Sequence, residues 1–176
     1  MKSLFTRFRI LNATRALVSE VGVERVTMRR IASLANITAP AIYKHFRNKR
    51  ELLDAVIRTG YIELTGRMAR GRRAGSGPEG LRIMAGEVVR FAQEFPKLTQ
   101  MMLAPMTRDD DAAGFLRTQT KRCGAGVLGL YNAATSADLL WSQMRGVLSR
   151  RHEESRLEPC FDQVMRALLP PLAAAA

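Results

Sequence analysis

Thr27, Thr38, Tyr43, Lys44, His45 and Lys49 fall within one stretch of 23 residues, TMRRIASLANITAPAIYKHFRNK. Hydroxyls, a phenol, an imidazole and ammonium groups are hydrogen-bond partners for phosphate oxygens and base edges. They are not arranged as a nucleophile beside its base. The chain has two histidines, His45 and His152, and the second sits in a charged run, RRHEE. No Ser/His/Asp or Cys/His pairing and no Gly-rich phosphate loop is present. Cys123 and Cys160 lie far apart, without metal or redox spacing. Asp109 to Asp111 read as negative charge at a helix start rather than a metal site. An enzyme is therefore not expected, nor a metal or a cofactor.

The polar groups need short helices to present them. Thr27 is suited to cap a helix, because its hydroxyl can accept from a first-turn amide. Val26 before it and Ile31 after it are spaced as a hydrophobic staple. The same grammar repeats at Thr38, between Ile37 and Ile42. Pro40 falls in the first turn, where its missing N–H costs little. Ala32, Leu34 and Ala35 are expected to face inward. Asn36 tolerates the left-handed conformation that a tight turn requires. A third start follows at Asn48, with Glu51 completing a variant of the capping box. Two helices this short cannot stand alone and must pack on a neighbour.

The neighbour precedes them. Ile10, Ala13 or Thr14, Leu17 and Val21 recur at helical spacing, with Leu11 and Val18 alongside. Gly22 is expected to end that helix as a left-handed C-cap, with Val23 closing the contact. After the pair, Leu52, Leu53, Val56, Ile57, Leu64 and Met68 mark a long fourth helix. The result is a helix-turn-helix whose second helix can lie in the major groove of DNA. Thr27, Tyr43, His45 and Lys49 are expected to contact phosphates. Thr38, Ala39, Ala41 and Lys44 are expected at base edges, beside Pro40, and Arg29 can do either.

ILNATRALVSEVGVERVTMRRIASLANITAPAIYKHFRNKRELLDAVI resembles the N-terminal domain of TetR/AcrR-family transcriptional regulators. The matching positions are Gly22, Thr27-Ile31-Ala32, Ala35-Ile37-Thr38, Tyr43-His45-Phe46 and Lys49-Leu52, with no departure among them. The resemblance covers about the first 60 residues. It implies a sequence-specific DNA-binding regulator, foremost a ligand-released repressor acting as a homodimer on a palindromic operator. Further on, FAQEFPKLTQMML resembles a proline-kinked segment of one group of these regulators. LLWSQMRGVL resembles a Trp-x-x-x-His-Gly segment of the same group, with Arg145 in place of the His.

Composition agrees with an all-α chain. Hydrophobic residues make up 47% of the 176, enough for a core. Aromatics at 6% are too few for a single-strand binder built on stacking platforms. No alternating β-branched run appears. The net charge is +12 and it is unevenly placed. Residues 1–60 hold 12 basic and 4 acidic side chains, a net +8, against 16 and 12, a net +4, in residues 61–176. The basic N-terminal third calls for a polyanionic partner. Arg7, Arg9 and Arg15 interrupt any signal-peptide core, and no apolar run reaches membrane-spanning length. With free thiols expected at both cysteines, a cytoplasmic location without a membrane partner is expected.

Two domains follow: a DNA-binding domain at 1–60, with the helix-turn-helix at 27–46, and a helical regulatory and dimerisation domain at 61–176. RGRRAGSGP, residues 70–78, reads as a linker or loop between them. Leu81, Met84, Val88, Phe91/Ala92 and Phe95 then form a stripe that Pro96 ends or kinks, and a short segment runs from Lys97 to Leu103. Further helices are expected through Phe115 to Leu130, after Ser136, and after Pro159. Met84, Val88, Phe91, Phe95, Met102, Met106, Phe115, Trp141 and Met144 are the candidate lining of a pocket for a small hydrophobic or cationic-aromatic effector. The resemblance implies dimerisation through the last two long helices, about 137–150 and 156–169. Leu139, Leu140, Val147, Phe161, Val164 and Leu168 are the expected buried faces. The runner-up is a non-specific architectural DNA-binding protein, and a third possibility is a protein-interaction module. The first is disfavoured by the concentration of charge around one capped helix, the second by Thr27, Tyr43, His45 and Lys49.

Overall fold

The computed structural model describes residues 2–74 and 77–103. Among these residues the structure is all-α. The elements are α1 (Lys2–Val21), a 3₁₀ turn (Val23–Arg25), α2 (Met28–Leu34), α3 (Ala39–Tyr43), α4 (Lys49–Ala74), α5 (Gly77–Glu94) and α6 (Pro96–Leu103). They form two compact units. The first comprises residues 2–60 together with 95–103, and the described part of the second is 61–94.

The core of the first unit joins the four N-terminal helices. Ile10, Leu17 and Val18 of α1 are buried, and both Ala13 and Thr14 share their stripe. Thr14 satisfies its hydroxyl by donating to the Ile10 carbonyl at 2.7 Å. Ile31, Ile42, Phe46, Leu52 and Val56 are also fully buried. The segment 95–103 completes the unit by packing α6 against α1. Lys97 donates to the Glu20 carbonyl at the end of α1. Arg15 stacks over the Phe95 ring, 4.4 Å from its centroid. The α5 stripe ends before Pro96, as expected, and Pro96 opens α6, where a proline fits the first helical position.

Three local expectations change. Gly22 has φ 80° but ψ 160°, so it is not left-handed helical. It turns the chain out of α1 through a region that essentially only glycine adopts, while its N–H still bonds the Val18 carbonyl at 3.0 Å. Leu34 is 54% exposed rather than inward. At 3.6 residues per turn it lies about a quarter-turn off the stripe of Ile31, Ala32 and Ala35. The segment 70–78 is not a loop throughout. α4 continues to Ala74, and α5 begins at Gly77. Arg and Ala are strong helix formers, and one interior glycine costs only about 1 kcal/mol, which a long helix absorbs.

In the second unit, Tyr61, Leu64 and Met68 of α4 and Val88, Val89 and Phe91 of α5 are buried. Arg67 ties the two helices. It bonds Glu63 and Glu94, each at 2.6 Å, and lies 5.4 Å from the Phe91 ring centroid. The hydrogen bond to Glu94 raises the Arg67 pKa against partial desolvation, and Glu63 adds to the effect. No described helix is long and apolar enough to cross a membrane. The expected helices beyond residue 103, Cys123, Cys160 and the Asp109–Asp111 run lie outside the described residues.

Candidate nucleic-acid interface

The helix-turn-helix is built by caps and two anchors. Thr27 adopts the extended N-cap conformation, and its hydroxyl accepts from Arg30 N at 3.3 Å. α2 then ends in a Schellman motif. Asn36, at φ 51°, donates from its N–H to the Ser33 carbonyl, and Ile37 N donates to Ala32 O, both at 3.0 Å. Thr38 holds the N-cap backbone conformation of α3, but its hydroxyl makes no capping bond and its side chain is exposed. The cap is thus spared for another acceptor or donor, because Pro40 in the first turn has already removed one amide. Ile42 and Phe46, at 0% and 1% exposure, hold the five-residue α3 in place. Each such burial contributes about 1.5–3 kcal/mol, which compensates for a helix too short to persist alone.

With its inner face fixed, α3 presents the rest outward. Thr38, Pro40, Tyr43 and Lys44 are exposed, and Ala39 and Ala41 are half-buried between them. Small side chains beside these polar groups leave room for close approach to a groove. Thr27 and Arg29 of the α2 start are exposed as well. His45 and Lys49 are half-buried. Lys49 Nζ donates to the Val23 carbonyl at 3.1 Å, so it also ties α4 to the 3₁₀ turn.

The α4 start closes the site. Glu51 N donates to Asn48 Oδ1 at 2.9 Å. The Glu51 carboxylate accepts from Arg47 N at 2.7 Å, one residue earlier than in a standard capping box. Between Glu24 and Glu51 the chain has no acidic side chain, and it has seven basic ones. Of these, Arg25, Arg29, Arg30, Lys44, Arg47 and Arg50 are exposed. Glu51 accepts at the α4 cap, and between Glu24 and Glu51 every charged side chain is basic, a bias that suits a polyanionic partner.

Nothing in the spacing of Arg7 and Arg9 of α1 points to this site, yet they brace it. Arg7 Nη1 donates to the His45 carbonyl at 3.2 Å, and its guanidinium lies 4.3 Å from the Phe46 ring centroid. Arg9 donates to the Ala35 carbonyl and to Asn36 O, the latter at 3.4 Å. α3 is held at both ends. The only sequence signal was two arginines near the start of an apolar helix.

The pocket candidates separate. Val88 and Phe91 are buried in the second unit, whereas Phe95 and Met102 belong to the first. The Met84 side chain and Met106, Phe115, Trp141 and Met144 lie outside the described residues. So do Leu139, Leu140, Val147, Phe161, Val164 and Leu168.

Residues 10–56 match the pattern of bacterial regulatory proteins of the tetR family. The HTH-type transcriptional repressor KstR of Mycobacterium tuberculosis is 34% identical over 176 residues, covering 93% of this chain and 80% of that protein. KstR of Mycolicibacterium smegmatis is 34% identical over 110 residues, and there the match spans 54% of the relative. Two solved structures share the fold. One is the Bacillus subtilis regulator FadR in complex with stearoyl-CoA, with TM-score 0.76, 13% identity and 93% and 97% of the two chains covered. The other is AibR in complex with isovaleryl coenzyme A and operator DNA, with TM-score 0.71, 18% identity and 94% and 99% covered. The capped helix-turn-helix and the Mycobacterium tuberculosis relative agree, and the chain belongs to the tetR family of DNA-binding transcriptional regulators.

Proposed function

We propose that the protein is a repressor that binds a palindromic operator as a homodimer and leaves it when a small effector with an apolar part binds. The observation that carries the DNA half is α3 itself. Its inner face is locked by Ile42 and Phe46, while Thr38, Tyr43 and Lys44 stand exposed in a stretch without carboxylates. In this scheme Thr27, Tyr43, His45 and Lys49 meet phosphates. Thr38, Ala39, Ala41 and Lys44 face base edges, beside Pro40, and Arg29 reaches either. Residues 1–60 form the DNA-binding domain, and residues 61–176 hold the effector and the dimer contacts.

Support for repression comes from the KstR relatives, which are named as repressors. Support for an acyl-type effector comes from FadR and AibR, which hold coenzyme A thioesters, and from the apolar candidates Val88 and Phe91. The test is selection of bound duplexes from random DNA by the purified chain. One palindromic motif should be enriched, with half-site centres about 34–36 Å apart. Binding without any enriched sequence would instead favour a non-specific architectural role.

A further inference from the structure

The first two turns of α1 carry Leu4, Phe5 and Phe8 at 73%, 65% and 60% exposure. Ser3 is exposed beside them, and the first buried residue of the helix is Ile10. On a helix, residues 4 and 8 stack along one face, with residue 5 adjacent. Scattered apolar residues on a surface need no explanation, but three large ones on one helical start form a patch. Along this part of the chain the charge is of one sign. Residues 1–19 include Lys2, Arg7, Arg9 and Arg15 and no Asp or Glu.

The position of this patch is fixed by its own arginines. Arg7 is bonded to the carbonyl just after α3, and Arg9 to the carbonyls of the turn just before it. The base of the apolar prong is therefore fastened to both flanks of the reading helix.

We infer that the start of α1 is a second DNA contact, in which Phe5 and Phe8, with Leu4, lie against sugars and base edges of the minor groove beside the major groove read by α3. It rests on the proposal that α3 reads DNA. Duplex DNA is the polyanion that α3 already brings alongside, so the prong continues that interface. Its cationic surround matches phosphates, and apolar side chains are the usual wedges in minor-groove contacts.

The experiment compares the full chain with its Phe5→Ser/Phe8→Ser variant. Both positions are exposed, so the thermal unfolding midpoint should not change. Two duplexes are used, one trimmed at the half-site edges and one extended by several base pairs. The extended duplex should bind the parent chain more tightly by about tenfold, the lower part of the range for aromatic contacts to nucleic acid. The variant should lose that gain and the hydroxyl-radical protection in the flanking minor groove. It should keep the protection under α3, and its salt slope should be unchanged, because no phosphate contact is removed. Equal affinity and equal flanking protection for both chains would overturn the inference. Loss of binding to phosphatidylglycerol vesicles in the variant, with DNA binding unaltered, would overturn it in favour of a membrane surface. A parent chain that protects no sequence under α3 would sink the underlying proposal, and the prong with it.

Discussion

Tyr43 and Lys44 are adjacent and both exposed, but the proposed complex divides their labour by their chemistry. A phenol at the end of a short helix suits a phosphate oxygen, which carries no sequence information. In the proposed complex a lysine can reach guanine acceptors in the groove, which do. Tyr43→Phe should weaken binding to every operator variant by a similar factor. Lys44→Ala should relax preference at one or two positions, with a discrimination loss of about 1–3 kcal/mol at each. Competition against single-base variants of the selected operator separates the two, and the reverse outcome would sink the assignment. Gly22 makes a different residue-scale prediction. A Cβ there would meet only Lys97 Cδ, at 4.0 Å, so space is not the obstacle. The obstacle is φ 80° with ψ 160°, and Gly22→Ala should cost about 1–3 kcal/mol in chemical denaturation. A variant as stable as the parent would show that the chain can leave α1 by another route.

Element boundaries were legible where their cause is local. Thr27, Asn36, Pro40, Asn48 and Glu51 each act on backbone within five residues, and the structure uses all of them. Where the cause is distant, the sequence was silent. Arg7 and Arg9 act on carbonyls 38 and 26 residues away, and nothing in their spacing indicates that. The run 70–78 misled for the opposite reason, since its glycines are local signals that a long helix overrides up to Ala74. Gly60 shows the same gap in α4. It looks like a weak point in a helix, but side chains of α6 lie against it. A Cβ at Gly60 would sit 2.8 Å from Met102 Sδ and 3.5 Å from Leu98 Cδ2. Met102 is flexible and can yield a little, so Gly60→Ala should be close to neutral, its helix-propensity gain of about 1 kcal/mol offset by the displaced thioether. Gly60→Leu cannot be accommodated in this way and should lose about 1–3 kcal/mol by overpacking. Thermal melts of the two variants test the contact, and equal tolerance of Ala and Leu would mean that α6 does not press on α4.

At the scale of the whole molecule, the proposed repressor needs two coupled properties. The first is pairing of chains. Phe161 lies on the expected dimer face, and Phe161→Asp should cost dimer and operator affinity together, because one chain reads only one half-site. Sedimentation that finds a monomer at micromolar concentration, still with full operator affinity, would remove the dimer from the scheme. The second property is release, and it is governed by linkage. An effector can lower operator affinity only if it binds the DNA-incompetent arrangement more tightly than the competent one. α4 is the element that contributes to both compact units, with Lys49–Gly60 in one and its remaining residues in the other. A small change in its course would alter how two reading helices are presented to a palindrome. Whatever the route, reciprocity is obligatory: operator DNA must weaken effector binding by the same factor by which effector weakens operator binding. Titrating an acyl-CoA thioester into the free protein and into the operator complex, and operator into the protein with and without that thioester, yields both factors. The expected coupling is about 1–3 kcal/mol, or 5–150-fold in each direction. Tight thioester binding with identical affinity in the presence and absence of operator would show that the site exists but does not regulate, and release would have to be sought from a different effector.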